Sequence, residues 1–159
     1  MVAEKLAKDL EKNFDQSYKD DLQAAAASFT TFLKLMKPVH PLQWDIKLMY
    51  ASRHQALDAG TRGLIGHAGS DGSTPLQRCG LYTKNWLGVD SESVSYGDMD
   101  PMATILNLGI DCRVPTLVHR TALFEKQYYH MGCFTGYHAK HKKFTVITYN
   151  GKDPSLEKS

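Results

Sequence analysis

The sequence has little net charge. Nineteen Lys and Arg face 17 Asp and Glu, a formal +2 over 159 residues. A field that weak drives the chain onto neither nucleic acid nor an anionic membrane. Its one dense basic cluster, Lys140 to Lys143, is broken by His141 and reads as a solvated loop. No apolar run approaches the length of a membrane span. Met1 to Asp21 is dense in Lys, Glu and Asp and holds no apolar stretch of the signal-peptide kind. Cysteine is scarce: Cys79, Cys112 and Cys133 are odd in number and widely spaced. They form no CxxC zinc pattern, and a disulfide framework would leave one thiol over. Three reduced thiols in an intracellular protein are expected; the alternatives are one bridge with one thiol left over and, if a leader precedes this sequence, secretion. There is no internal repeat, no low-complexity tract and no G-x-S-x-G element. Asp71-Gly72 lacks the rest of a calcium loop.

What is present suits one globular domain with a core of its own: 42% apolar and 23% charged residues. Leu6, Leu10, Phe14, Tyr18 and Leu22 recur every four residues, an amphipathic helical stripe. The helix continues through Ala24 to Met36, and Pro38 and Pro41 end it. Asp45 is a plausible N-cap for a second helix, on which Ile46, Met49, Tyr50, Arg53 and Leu57 share a face. Gly60 and Gly63 close it. Gly66 to Thr74 must turn, and Thr74-Pro75 reads as a cap and first helical residue for a short helix to Tyr82. Ser91 to Gly97 is extended. Pro101 to Leu108 is helical, with Gly109 as the stop. Tyr129 to Tyr137 and Phe144 to Tyr149 alternate or are β-branched, a hairpin around Ala139 to Lys143. Helices followed by a late antiparallel sheet predict an α+β chain or a three-layer sandwich. The expected division is a helical extension over 1–22, a domain over 23–150 and a polar tail over 151–159.

Five stretches, in order, carry a resemblance. They are Pro41-Leu42-Gln43-Trp44-Asp45, Gly66-His67 through Gly69-Ser70-Asp71-Gly72-Ser73-Thr74-Pro75, Ser91 to Gly97, Ile110 to Arg120, and Gly132 to His138 with Phe144 to Tyr149. Together they resemble the bacterial and protist branch of the CAP family, the cysteine-rich secretory, antigen 5 and pathogenesis-related 1 proteins. The resemblance spans roughly residues 20 to 150. It implies a three-layer α-β-α sandwich with a central antiparallel sheet, and a cleft carrying His67, His119 and Glu92. Several positions depart from the family pattern. Ser93 replaces Asn, Cys112 and Arg113 replace Asp and Gly, and Val118 replaces the Gly before the second histidine. A second cleft glutamate has no clear counterpart; Asp111 is the nearest acid.

Two imidazoles from distant segments can share zinc or another divalent metal. A nearby carboxylate can orient an imidazole or act as a base. His67 and His119 are thus candidate metal ligands, with Glu92 and Asp111 beside them. Glu92, His67 and His119 are also the candidates for catalysis. Against this stand plainer roles: histidines that tie turns together, and a Glu92 facing solvent. Arg120 is expected to be structural, pairing with an internal carboxylate. Cys112, near His119, suggests a thiolate helped by Arg113, against a buried cysteine as the simpler reading. His130 and His138 share a strand face but lie roughly 26 Å apart, too far to share a metal. His138 and His141 approach each other only through the loop, and a surface hairpin is expected there. The favoured function is a non-enzymatic binding or scaffolding module with protein partners in a larger assembly, cytoskeletal, ciliary or membrane-associated. The alternatives are a metal-dependent hydrolase and a lipid or sterol carrier.

Overall fold

The structure is a computed structural model that describes residues 15–83 and 90–151. It divides into two compact units, one holding residues 15–39 and 99–124, the other residues 40–83, 90–98 and 125–151. The first half of the N-terminal stripe and the tail beyond residue 151 lie outside the described residues.

In the first unit, helix α1 runs Gln16–Leu35, capped by the Asp15 carboxylate on the Tyr18 N–H. Its buried Leu22, Ala26 and Phe29 close a core with Ile110. Tyr18 and Phe32 pack against this core, so the expected stripe is an internal face from Tyr18 onward.

The second unit holds the sheet. Strand β1 is Gln43–Trp44, helix α2 Ile46–Thr61, helix α3 Pro75–Tyr82 and strand β2 Asp90–Tyr96. Back in the first unit come helices α4, Pro101–Ile110, and α5, Val118–Leu123. Strands β3, His130–His138, and β4, Lys142–Asn150, then complete the second. The sheet order is β1-β3-β4-β2. The long pairs are antiparallel, and β1 adds two residues in parallel at the edge.

The Asp45 cap forms as expected, its carboxylate accepting from the Lys47 N–H. Thr74 and Gln77 make a reciprocal capping box with Pro75 in the first turn of α3. The large apolar face of α2 points outward: Ile46, Tyr50 and Leu57 are 50%, 44% and 38% exposed. Apart from Leu48, the buried face is made of small and polar residues, Ala51, Ser52, Gln55, Ala56, Ala59 and Gly60. A Cβ on Gly132 of β3 would overlap the backbone N of Met49, so the helix lies close enough to the strand at this point that the strand residue has room for no side chain.

Gly109 is not the stop of α4. The helix runs on to Ile110, and Asp111 caps it in the left-handed region at φ 55°. Gly109 is small for a different reason, because a Cβ there would overlap the Phe29 ring. Helix α5 carries no sequence signal of its own.

Candidate functional site

In the second unit, His67 sits on a loop pinned from several sides. Gln55, fully buried in α2, donates its amide to the carbonyls of Gly66 and Ala68. The Gly66 N–H donates to the Tyr96 hydroxyl at 2.7 Å. Asp58 accepts from both the N–H and the hydroxyl of Ser70 at 2.6 Å; these bonds hold its carboxyl below the usual range against the opposing effect of burial.

Strand alternation places Glu92 on the same sheet face as Val94 and Tyr96, which pack in the core under α2. Its carboxylate is 2% exposed and fully engaged. Oε1 accepts from His67 Nδ1 at 2.9 Å, and Oε2 accepts from Arg78 Nη2 at 2.8 Å. Arg78, 1% exposed, also donates to the His67 and Ser73 carbonyls. A buried Arg–Glu pair thus fixes both the backbone and the ring of His67. Because a carboxylate only accepts, Nδ1 carries a proton, and in the neutral tautomer Nε2 bears the lone pair on a ring that is 47% exposed.

The first unit contains a parallel device. His119 Nδ1 donates to Asp111 Oδ1 at 2.7 Å. The other oxygen, Oδ2, accepts from the backbone N–H groups of His119 and Arg120 at 3.0 and 3.1 Å. Leu117, at the N-cap of α5, makes no side-chain bond, so Asp111 caps this helix from six residues upstream of that position. Its carboxylate is 2% exposed and His119 is 24% exposed.

Arg120 is structural, yet it does not pair with a carboxylate through its head as expected. Its guanidinium donates to the Gly109 and Ile110 carbonyls and to the Ser28 hydroxyl. It also lies 5.3 Å from the Phe29 ring centre. Arg113 turns away to Asp21, at 2.7 Å, and covers the Tyr18 ring. Burial and Asp21 together push the Cys112 thiol up, so no thiolate is prepared there. Cys79, Cys112 and Cys133 form no disulfide.

His138 and His141 do approach, with ring centres 4.9 Å apart. His138 is fully buried rather than on a surface hairpin. Both its nitrogens are occupied: Nε2 donates to the Leu64 carbonyl, and Nδ1 accepts from the Lys140 and His141 N–H groups. It organises the turn and has no lone pair left for a metal.

Among the described residues, no three His, Cys, Asp or Glu side chains gather as metal ligands would. The donor chemistry agrees. Glu92 and Asp111 are spent on orienting imidazoles, the outer-shell role of a carboxylate beside a histidine. The atoms left to meet a cation are the two Nε2 lone pairs. A tightly held zinc with three or four protein ligands does not fit either histidine's surroundings taken alone, since each leaves a single imidazole nitrogen. Arg78 was not visible as a site residue in the sequence. The only signal was a basic residue inside a short capped helix just after the histidine loop.

The family model described as the cysteine-rich secretory protein family, CAP, matches residues 35–149. An outer surface protein from Borrelia burgdorferi is similar in structure at a TM-score of 0.61 and 18% identity, covering 88% of this chain and 97% of that one. An extracellular protein containing an SCP domain from Bacillus anthracis gives a TM-score of 0.59 and 15% identity, covering 91% of this chain and 43% of that one. Among curated proteins none matches the sequence significantly. These likenesses show the fold, the α+β class and the α-β-α sandwich that the resemblance implied.

Proposed function

Because the chain belongs to the cysteine-rich secretory protein (CAP) family, we propose that it works as a non-enzymatic binding module of that family, a component of a protein assembly in a reducing compartment. One observation carries this reading: both carboxylates beside the candidate histidines are buried and already engaged. A carboxylate acting as general base must reach the proton it removes. Glu92 is closed off by Arg78 and His67, and Asp111 by two backbone N–H groups and His119. Cys112 is no better as a nucleophile. What the residues offer outward is two fixed imidazoles, each presenting Nε2. These take an exchangeable divalent cation of the kind imidazole suits, zinc among them.

The test combines zinc calorimetry with a peptide-hydrolysis assay on the full chain, on His67→Ala and on His119→Ala. The module reading expects zinc binding weakened in each variant and no zinc-dependent turnover in any of them. The stoichiometry tells whether one ion takes both imidazoles, as the family resemblance implies, or each takes its own. Turnover in the wild type that disappears in His119→Ala sinks the module reading and restores the hydrolase.

A further inference from the structure

On the outer side of α2 and α3, within the second unit, lies a groove of about 340 Å³ lined by His54, Asp71, Gly72, Ser73, Gln77 and Leu81. It contains neither His67, Glu92 and Arg78 nor His119 and Asp111, and meets the His67 set only at Ser73, whose carbonyl accepts from Arg78. Its size is at the small end of ligand pockets, which run from roughly 300 to 1,000 Å³.

The groove is chemically one-sided. Asp71 is its only carboxylate, and hydrogen bonding from Ser73 keeps that carboxyl below the usual range. The charged neighbour it feels is Asp58, another acid, whose own charge is answered by Arg62 at 3.1 Å. Among the described residues no cation forms a salt bridge with Asp71. The one ring that lines the groove is the His54 imidazole; Tyr82 and Tyr50 support it without lining the groove. His54 Nδ1 is tied to the Tyr82 hydroxyl at 3.1 Å, and Tyr82 stacks on Tyr50 with ring centres 6.0 Å apart. Leu81, 67% exposed, forms an apolar lip. The stack continues onto the outward face of α2.

A carboxylate with no counter-ion among the described residues, set in one groove with an aliphatic lip, is complementary to a long side chain with an apolar stem and a cationic head, the stem along Leu81 and the head on the acid. We propose that this groove receives a Lys or Arg side chain projecting from a partner protein. The inference deepens the binding-module reading and rests on it for the partner being a protein. The charge complementarity is a property of the groove itself.

Heteronuclear NMR titration of the full chain with N-acetyl-arginine amide, N-acetyl-lysine amide and N-acetyl-alanine amide tests it. The expected result is saturable shifts at Asp71, Gly72, Gln77 and Leu81 with the basic amides and none with the alanine amide. Affinity should fall at least fivefold in Asp71→Asn, which keeps the acceptor for the Ser73 N–H, and stay unchanged in His67→Ala. Equal response to the alanine amide, no saturable shift, or undiminished binding to Asp71→Asn overturns the proposal. A free diamine that outcompetes both basic amides overturns the assignment to a protein side chain. Turnover in the hydrolysis assay would sink the module reading while leaving these titrations as they are, so the two failures are distinguishable.

Discussion

Asp111 holds His119 from a left-handed turn: its φ is 55°, and its Oδ1 lies 2.7 Å from His119 Nδ1. The same carboxylate caps α5 through two backbone N–H groups. Aspartate is one of the few residues at ease in that backbone region, so one residue ends α4, starts α5 and orients the ring.

Asp111→Asn keeps the backbone tolerance but has one acceptor oxygen where the carboxylate has two. Either the helix start or the imidazole loses its partner. The expected cost is about 2 kcal/mol, the scale of a hydrogen bond to a buried charged group, read as a lowered urea midpoint with an unchanged slope. The His119 ring should also lose its fixed tautomer by ¹⁵N NMR. An unchanged midpoint together with an unchanged tautomer would show that the carboxylate does neither job.

The Arg78–Glu92 pair is buried on both sides, at 1% and 2% exposure. Removing one member of such a pair strands the other charge, at a cost of roughly 3–5 kcal/mol, whereas removing both is far cheaper. Arg78→Met should therefore destabilise strongly, and Arg78→Met with Glu92→Gln should recover much of the loss. A double-mutant cycle by thermal or urea unfolding measures this. Additive losses would mean the two side chains do not depend on each other.

Much of the frame was readable in advance because its signals are local. Asp45, Thr74 with Pro75, and Pro101 mark helix starts by chemistry that acts within three or four residues. His67 and His119 stood out through the motifs around them. Arg78 did not, because its role depends on a strand fourteen residues away. The outward face of α2 was also hidden. Ile46, Tyr50 and Leu57 share a helical face by period, yet the buried face is the one carrying Leu48, Ala51, Gln55 and Ala59. In the sequence Asp111 reads as an acid near the site. Its capping of α5 was not visible, since that helix has no cap of its own in sequence.

The close approach of α2 to β3 is testable at Gly132. A Cβ there would overlap the backbone at Leu48 and Met49, which cannot swing aside as a side-chain tip would. Gly132→Ala should cost about 3 kcal/mol or more, the upper range for overpacking, and lower the melting temperature. Gly136→Ala is the control: its nearest neighbours lie at 3.5 Å, ordinary contact, and it should be much milder. Equal effects would show that the clearance between helix and strand is not what selects glycine at 132.

Arg113 stands where the family pattern has glycine, and its φ is 60°. Its side chain contributes an ion pair with Asp21, about half exposed on both sides, which is worth little. Comparing Arg113→Gly with Arg113→Ala removes the side chain in both and isolates the backbone. The glycine variant should be the more stable by about 1 kcal/mol, the order of the left-handed penalty. Equal stability would mean the loop relaxes out of that conformation at no cost.

Tyr149 is expected to contribute to the loss of stability at alkaline pH. It is 1% exposed in β4, stacked on Tyr128 at 5.4 Å, and burial pushes its phenol from 10.0 up to about 12. The unfolded chain releases this proton near pH 10, while the folded chain holds it. The contribution to stability is therefore complete below pH 10 and is lost as pH rises toward 12, because only the unfolded state gains from ionising there. Two pH units correspond to about 2–3 kcal/mol. Tyr18 and Tyr96 are shifted in the same direction, so the wild-type curve alone does not isolate one residue. The difference between wild type and Tyr149→Phe does, since phenylalanine keeps the ring and has no proton to lose. Unfolding free energies at pH 8, 10 and 11.5 should show the variant falling less steeply across the upper interval. Parallel curves would mean that Tyr149 ionises in the folded protein as easily as in the unfolded one.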